Sequence, residues 1–351
     1  MLHHKIVLLC LILAGSVFCT LPDAAASSRT RYVSPTGSDS ATGSQAHPWR
    51  TVARGMAALH AGDTLYLRGG TYDQRVTGRS GSYLRVAPGT PTRRITVRNY
   101  PGERPVVRGV FWVTGMDYWT FHHIGVTWDA ADRSGQYMVR LKNGRGWVFQ
   151  RSEIWGARGY ANVNVTSDVP GEPAGWAIRG NCIHDNYGLP SHGTAKDQLL
   201  YVNSGVQAGA GVIERNLIFN APQGKGIKLA GPDAASGSAN VTVRYNTIYN
   251  TFKPAIIVGS ATHASKIYRN LVVRTQDKAL IRGFRLDGRG NAAWDNGWAQ
   301  GPRALASDTG FGSRIENRGG QQKVVPSFDS TTCASFYPGT TGASGFGRYA
   351  R

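Results

Sequence analysis

Apolar and polar residues alternate in six similar segments through the middle of the chain. Alternation with a period of two is typical of β-strands that bury one face. Neighbouring segments begin 24 to 35 residues apart, and this spacing favours stacked repeats over one globular core. The segments begin at residues 119, 147, 176, 211, 241 and 265 and read WTFHHIGVTW, WVFQRSEIWG, WAIRGNCIHDN, GVIERNLIFN, VTVRYNTIYN and SKIYRNLVVR.

A second short apolar alternation follows each of these segments. A strand, a turn, a second strand and a return make one coil, and coils stacked in parallel bury alternate side chains. The sequence therefore predicts an all-β fold, a parallel β-helix. The second strands are expected at 137–141, 162–165, 199–202, 226–229, 255–258 and 279–282.

The sixth position of the repeat becomes asparagine in the later segments. It reads Ile124, Ser152, Asn181, Asn216, Asn246 and Asn270. Stacking in register would let each side-chain amide bond to the next. We expect an asparagine ladder at this position.

A helical pattern precedes the repeats. Pro48 suits the first turn of a helix, and Val52, Met56 and Leu59 share one helical face. Gly62 is expected to end the helix. We predict a short α-helix that caps the open end of the stack and hides its unpaired edge.

The N-terminus has the pattern of a secretory signal. A lysine precedes an apolar stretch at 6–18, and three alanines at 24–26 resemble a cleavage site. We expect a secreted or periplasmic monomer with no membrane span, because the apolar stretch is short. The expected organisation is a signal at 1–26 and one β-helix domain at 27–338, followed by a tail at 339–351. Within the domain we expect a cap at 31–62, coils at 63–282 and a C-terminal capping segment at 283–338.

The chain is strongly basic, with a formal net charge of +19 over 351 residues. Such a charge favours an acidic partner, or serves only to keep the protein soluble. The predicted export, together with the lack of a nucleic-acid motif, favours an acidic polysaccharide over nucleic acid. Cys182 and Cys333 remain after signal removal. Alternation points Cys182 outward, so the two can form a disulfide or stay separate thiols.

Three motifs at 31–72 carry a family resemblance: YVSPTG, HPWRTV and AGDTLYLRGGTY. They resemble the N-terminal signature of extracellular right-handed β-helix proteins, including the family nine pectate lyases. With the repeats, the resemblance extends over residues 31 to about 335. It implies a right-handed helix and activity on carbohydrate. It does not imply one substrate, because lyases, hydrolases, epimerases and adhesins share this scaffold.

The outward residues of the second strands form one column. In GIKL at 226–229, Lys228 points outward if Ile227 and Leu229 point inward. Lyases of this fold often place a Lys or Arg base on an outward strand, so the resemblance implies Lys228 as the base, with Lys225 beside it. The predicted column reads Arg140, Asn164, Tyr201, Lys228, Ile257 and Ile281. We expect substrate contacts from Arg140, Asn164, Tyr187 and Tyr201.

The long insertions are expected to form the walls of a groove beside this column. They lie at 166–175, 184–198 and 231–240. Asp168, Asp185 and Asp197 are candidate ligands for Ca²⁺, which prefers several oxygen atoms. These aspartates are scattered, whereas family nine lyases carry a cluster. No organic cofactor is expected.

Two histidines, His184 and His192, flank the longest insertion and are candidate acid or base groups. The predicted function is a lyase that cleaves a uronate-containing polysaccharide by β-elimination. A glycoside hydrolase is the first alternative, since it needs two carboxylates, here Asp185 and Asp197. A non-catalytic glycan- or surface-binding protein is the second.

Overall fold

A computed structural model describes most of the chain from residue 27 to residue 324. The described ranges are 27–132, 137–188, 197–205, 208–231, 233–275, 279–300, 305–308 and 312–324, with residue 333 and four two-residue strands. Those strands are Ile12–Leu13, Ser16–Val17, Ser327–Phe328 and Pro338–Gly339. The predicted signal peptide and the tail therefore lie almost wholly outside the described residues.

Three long parallel sheets form a solenoid, which confirms the predicted right-handed parallel β-helix. Sheet 1 contains Thr30–Val33, Thr64–Leu67, Ile95–Asn99, Trp119–His122, Val148–Gln150, Trp176–Arg179, Gly211–Glu214, Val241–Arg244, Lys266–Tyr268, Ala292–Trp294 and Glu316–Asn317. Sheet 2 contains Gly70–Asp73, Pro105–Arg108, Gly125–Thr127, Glu153–Ala157, Cys182–Asn186, Leu217–Ala221, Thr247–Thr251, Leu271–Thr275, Gly297–Ala299 and Gln322–Lys323. Sheet 3 contains Leu84–Arg85, Phe111–Thr114, Tyr137–Lys142, Ala161–Thr166, Gln198–Asn203, Lys225–Leu229, Ile256–Ser260, Ile281–Leu286 and Leu305–Ser307.

Each coil contains three strands, one more than the sequence pattern predicted. Each repeated segment breaks in two just before the ladder position, so its halves belong to sheets 1 and 2. The residue at the break has a positive φ in successive coils, for example 50° at Arg151 and 55° at Arg215. A non-glycine residue in this region costs about 1 kcal/mol, so the bend must be stabilised by its neighbours.

The asparagine ladder provides that stabilisation and confirms the predicted amide stacking. The Asn181 amide nitrogen donates to the Asn216 carbonyl oxygen at 3.1 Å, and Asn216 donates to Asn246 at 2.9 Å. The bonds continue to Asn270 and Asn296 at 3.0 Å. Each amide oxygen also accepts a main-chain N–H from the preceding coil. These asparagines are buried to 2% exposure or less.

The coils continue beyond residue 282, where the sequence pattern fades. Five more strands, from Ala292–Trp294 to Gln322–Lys323, extend all three sheets. The predicted N-terminal cap at 31–62 likewise contains the first strand of sheet 1. The repeat was hard to follow in the C-terminal coils because their strands are only two or three residues long.

The predicted helix caps the first coil. It spans Val52–Ala57, and the Thr51 side chain accepts the Arg54 N–H at its start. Val52, Met56 and Leu59 are buried as predicted. The helix is shorter than predicted, because it begins after Pro48 and ends before Leu59 and Gly62. One apolar core then runs from Val33 to Ile315 inside the coils. Among the described residues, no helix has the length and apolar character needed to cross a membrane.

Cys182 and Cys333 form a disulfide across 151 residues of sequence. Cys182 packs with Leu217 and Phe219, outside the main core, so it points outward as alternation predicted. The bond attaches the C-terminal segment to the outer face of sheet 2. Of the two alternatives left open by the sequence, the structure has the disulfide.

Replacing Asn246 with alanine should destabilise the solenoid by about 3 kcal/mol, because the main-chain N–H of Asn216 and the carbonyl of Ile213 lose buried partners. Urea unfolding followed by circular dichroism measures the effect. The control is Asn317→Ala, since Asn317 is exposed and accepts two local bonds, from the Gly319 N–H and the Gln321 side-chain amide. Equal losses in the two variants would contradict a special role of the ladder.

Candidate functional site

The outer face of sheet 3 carries a continuous column of side chains. The parallel register aligns each residue with its counterpart in the next coil. We call this set the sheet 3 column: Trp112, Arg140, Asn164, Tyr201, Lys228, Ile257 and Arg282. The predicted column is correct from Arg140 to Ile257. It is wrong at its last member, because Ile257 pairs with Arg282 whereas Ile281 pairs with Ile256. Arg282 is bound by Asp308 at 2.7 Å, and the column continues from it to Ala306.

Lys228 is partly buried on this face. Its ammonium group lies 4.4 Å from the centre of the Tyr201 ring, and Ile257 is its neighbour in the next coil. Burial among these groups lowers the pKa of Lys228 below its usual value. Lys228 makes no salt bridge within the described residues, so its amine is not neutralised by a carboxylate there.

Arg140 lies among aromatic rings three coils before Lys228. Its guanidinium carbon is 4.8 Å from the Tyr137 ring, 5.1 Å from the Tyr83 ring and 5.6 Å from the Trp112 ring. Its Nε donates to the Asn164 side-chain oxygen at 3.4 Å. In the described part of the chain, Arg140 has no carboxylate partner. It is a rigidly held cation that can accept an anionic group.

Asn164 and Tyr201, two of the predicted substrate contacts, are buried and pack against or bond to their neighbours in the column. Asn164 is fully buried and donates to the Tyr201 carbonyl at 3.2 Å and to the Asn203 side chain at 3.1 Å. Tyr201 is only 4% exposed, and burial raises the pKa of its hydroxyl. Asn164 therefore orients Arg140, and the Tyr201 ring packs against Lys228.

The remaining predicted residues of this group lie apart from Lys228. Lys225 is the first residue of the same strand, but it is buried and has the parity of the inward Ile227. Tyr187 is 50% exposed on the loop after sheet 2. His192 lies outside the described residues.

The insertions lie at both ends of the sheet 3 strands. The 166–175 and 231–240 insertions follow strands of sheet 3, whereas the 184–198 insertion leads into one. A cavity of about 230 Å³ opens where Ser167 and Ser204 follow their strands. Beside it, Asp168 bonds to the Lys142 ammonium at 2.6 Å and to the Asn143 amide at 2.8 Å. These contacts lower the pKa of Asp168.

His184 belongs to a separate cluster on the outer face of sheet 2. Its Nδ1 lies 2.8 Å from Asp185, and its Nε2 lies 3.3 Å from Glu153. Its ring stacks on Phe219 at 4.8 Å and on Trp155 at 6.2 Å. Burial opposes protonation, but the bonds to both carboxylates prevail and raise the pKa of His184. The structure does not bring His184 together with Lys228.

The three candidate calcium ligands do not converge. Asp185 binds His184 and accepts from the Asn220 amide at 3.0 Å. Asp197 is fully buried beside Gly188 and Gly224. Asp168 is held by Lys142. Within the described ranges, the one group of three possible ligands is Cys182, His184 and Cys333, and its cysteines form the disulfide. The aspartates do not fit a shared Ca²⁺ site, and calcium binding stays a prediction.

The same geometry disfavours the predicted pair of hydrolytic carboxylates. Asp197 has no exposed surface, and Asp185 is occupied by partners on sheet 2. They do not face each other across the sheet 3 column. An acid and base pair needs two carboxylates that both reach the scissile bond.

Sequence reasoning missed the aromatic residues around Arg140 and the partners of His184. Trp112 occupies the column position one coil before Arg140, so extending the predicted column toward the N-terminus would have found it. Glu153 and Phe219 were harder to find, because they come from coils 31 residues before and 35 residues after His184. Their pairing across sheet 2 depends on the exact register.

Comparison with known proteins supports the fold and the resemblance. A family model described as "Pel9A-like, right handed beta helix region" matches residues 31–160. The chain is 37% identical over 78 residues to the uncharacterized protein YwoF of Bacillus subtilis, covering 22% of this chain and 15% of that protein. It is 28% identical over 145 residues to pectate lyase L of Dickeya dadantii, covering 38% and 33%. The chain thus spans a third or less of these relatives.

A solved structure extends the likeness over most of the solenoid. The crystal structure of pectate lyase Pel9A matches 81% of this chain and 79% of that chain, with a TM-score of 0.54 and 16% identity. At this identity the match shows the fold alone. The predicted resemblance to family nine pectate lyases is therefore confirmed as a resemblance.

His184 should make stability depend on pH. Its raised pKa means that its ion pairs stabilise the fold below the usual imidazole value of about 6.5, and that this contribution is lost as pH rises through the folded value. Glu153 and Asp185 have lowered pKa values, so the contribution also falls when acid protonates them. We expect the free energy of unfolding of wild type to exceed that of His184→Phe by the largest amount at about pH 5 to 6.5.

Urea unfolding of both proteins across pH measures this difference, and phenylalanine keeps the ring stacking. The control is His47→Phe, because His47 is exposed and forms no ion pair among the described residues. A gap between wild type and His184→Phe that widens above pH 7 would show that the sign is wrong.

Proposed function

We propose that the protein is an exported polysaccharide lyase that cleaves a uronate-containing polysaccharide by β-elimination. The observation that carries the proposal is Lys228, a partly buried lysine with a lowered pKa on the outer face of sheet 3. The relatives support carbohydrate chemistry, since two Dickeya proteins and one of Emericella nidulans are named pectate lyases. The predicted signal peptide and these relatives favour an extracellular location.

In the proposed reaction Lys228 acts as the general base. Its neutral amine takes the proton from C5 of the uronate, and the electron pair forms the double bond between C4 and C5. The C4–O bond breaks, and the departing oxygen receives a proton from water. A base in this role must be unprotonated at the working pH. The burial that lowers the pKa of Lys228 increases the neutral fraction.

Arg140 supplies the proposed binding site for a second uronate. Strands in neighbouring coils are about 4.8 Å apart, so three coils place Arg140 about 14 Å from Lys228 along the axis. This distance exceeds the size of one sugar. Arg140 would therefore hold a carboxylate several sugars away from the cleaved bond, and the aromatic rings around it offer stacking surfaces.

A non-catalytic glycan-binding protein is the second candidate. The observation that favours it is the position of Lys228, whose column neighbours Tyr201 and Ile257 carry no charge. Elimination requires a positive group close to the uronate carboxylate, because negative charge develops there. Binding alone would need only the separated cations Arg140 and Lys228, because Arg282 is already paired with Asp308.

Lys228→Ala should reduce elimination at least about 100-fold, in the range expected for removal of a general base. The assay is ultraviolet absorbance of unsaturated uronate, with pectate, alginate and glycosaminoglycans as substrates. Wild-type activity should rise with pH as Lys228 loses its proton, beginning below the usual lysine value of 10.5 because the pKa is lowered.

The matched control is Lys266→Ala, which removes an exposed lysine from sheet 1. Retained activity in Lys228→Ala would remove Lys228 from the mechanism. No activity of wild type on any acidic polymer, with unchanged polymer length, would favour the binding protein. A parallel series with a chelator tests the calcium prediction independently of both variants.

Arg140→Ala should raise KM about tenfold and change kcat little, because it removes a charge-assisted contact to a distant carboxylate. Arg140→Lys should show much of the same loss, since an ammonium cannot reproduce the planar contacts with three rings. Initial rates on uronate oligomers of increasing length measure both constants. An equal rise in KM for the shortest and the longest oligomers would contradict a binding site remote from the cleaved bond.

A further inference from the structure

Four basic side chains meet on the outer side of the solenoid where sheet 1 bends into sheet 2. Arg98 and His122 are register partners in neighbouring coils of sheet 1. His123 and Arg151 occupy the bend itself in successive coils, with φ values of 54° and 50°. We call these four residues the corner cluster. They lie on a different face from Lys228, which belongs to sheet 3.

The two imidazoles of the corner cluster touch each other. Nδ1 of His122 lies 3.1 Å from Nδ1 of His123. Burial, the neighbouring His123 and the charges of Arg98 and Arg151 lower the pKa of His122 to about 4. Burial, Arg151 and Arg98 also lower the pKa of His123. Protonation of the two imidazoles is thus opposed by the positive charges of Arg98 and Arg151.

The two guanidiniums have no carboxylate partners within the described residues. Arg98 lies over the Tyr66 ring at 5.8 Å, and its buried Nε has no hydrogen-bond partner. Arg151 is exposed. A buried N–H without a partner costs free energy unless a ligand or water accepts from it. Arg98 therefore contributes an uncompensated positive charge to the cluster, although its buried Nε does not line the neighbouring cavity.

A cavity of about 230 Å³ opens beside the cluster, with His123 and Arg151 in its wall. This is several times the roughly 30 Å³ that a water molecule occupies. Two carboxylates also line it, but both are already paired. Glu103 binds Arg68 at 2.8 Å, and Glu153 binds Arg104 and His184. These pairs leave the charges of Arg98 and Arg151 uncompensated.

We propose that the corner cluster and its cavity form a second binding site, which holds a carboxylate or sulfate group of an acidic polysaccharide. Guanidinium groups recognise both anions through paired N–H donors. The choice of a polysaccharide as the bearer of the anion rests on the proposed function. The site itself rests on the geometry of sheet 1. A second contact on the same polymer would raise the local substrate concentration without new contacts at Lys228.

The test uses the full-length protein with Lys228→Ala, so that the ligand is not cleaved during titration. Oligogalacturonates and chondroitin sulfate oligosaccharides are titrated by calorimetry, while NMR follows the imidazole signals of His122 and His123. Inorganic sulfate serves as the free-anion probe and neutral dextran as the uncharged control. Bound anion should raise the pKa of His122 from about 4, because a negative group favours imidazolium.

The decisive variant is Arg98→Gln with Arg151→Gln. It should weaken binding at this site about tenfold or more and abolish the ligand-induced change in the His122 signal. The matched control is Arg50→Gln with Arg289→Gln, which removes two exposed arginines elsewhere. The single variant Arg151→Gln serves if the double variant fails to fold, because Arg151 is exposed and its main-chain bend does not depend on the guanidinium.

Equal losses in the double variant and its control would overturn the proposal, since net charge alone would explain them. An unchanged His122 NMR signal with every acidic probe would also overturn the proposal. The same holds if inorganic sulfate changes the His122 signal more than any oligosaccharide does. Tighter binding of single-stranded DNA at the cluster would replace the polysaccharide by nucleic acid. Lyase activity is measured separately with intact Lys228. Lyase activity without ligand binding at the corner cluster would contradict only this proposal. Ligand binding at the cluster without lyase activity would contradict only the proposed function.

Discussion

The buried asparagine ladder is the interaction on which the rest of the structure depends. Each amide bonds to the next coil and also satisfies main-chain groups at a bend that non-glycine residues would otherwise avoid. The ladder therefore fixes the turn from sheet 1 to sheet 2 in the coils from Asn181 to Asn296, and Asn181 also accepts the Ser152 N–H. One coil earlier, the Ser152 hydroxyl takes this role and accepts the Ile124 N–H. Once that point is fixed, outward residues of successive coils align into columns. The sheet 3 column and the corner cluster both follow from this alignment.

Alignment also explains how a charged residue becomes partly buried on an outer face. Lys228 is flanked along the column by a tyrosine and an isoleucine, and insertions leave the strands at both ends of sheet 3. These neighbours desolvate the Lys228 side chain, and the backbone at Lys228 is that of a regular strand. Arg140 differs, since its neighbours are aromatic rings that tolerate a cation. One scaffold thus provides a lysine with a lowered pKa and a cation surrounded by aromatic rings on the same face.

The sequence was sufficient for the fold and for most of the sheet 3 column, because strand alternation decides which residues face outward. Its error at Ile281 has a simple cause. The link into that strand is one residue longer than the alignment assumed, and a shift of one residue exchanges the two faces. The surroundings of His184 could not be predicted in the same way. They combine residues from three coils of sheet 2, and alternation alone does not give their contacts.

The distribution of charge along the axis bears on how a polymer would approach. The corner cluster belongs to the coils that carry Trp112, Arg140 and Asn164 on sheet 3, whereas Lys228 lies further along the axis. Cations that lack a carboxylate partner among the described residues are therefore found on two faces of the same early coils. A rigid solenoid keeps these positions at fixed separations, because each coil adds about 4.8 Å. An anionic chain held at those coils would extend past Lys228 if it followed the axis of sheet 3. The strongly basic composition would then act mainly in holding such a chain, and in the proposed reaction only Lys228 would abstract the proton.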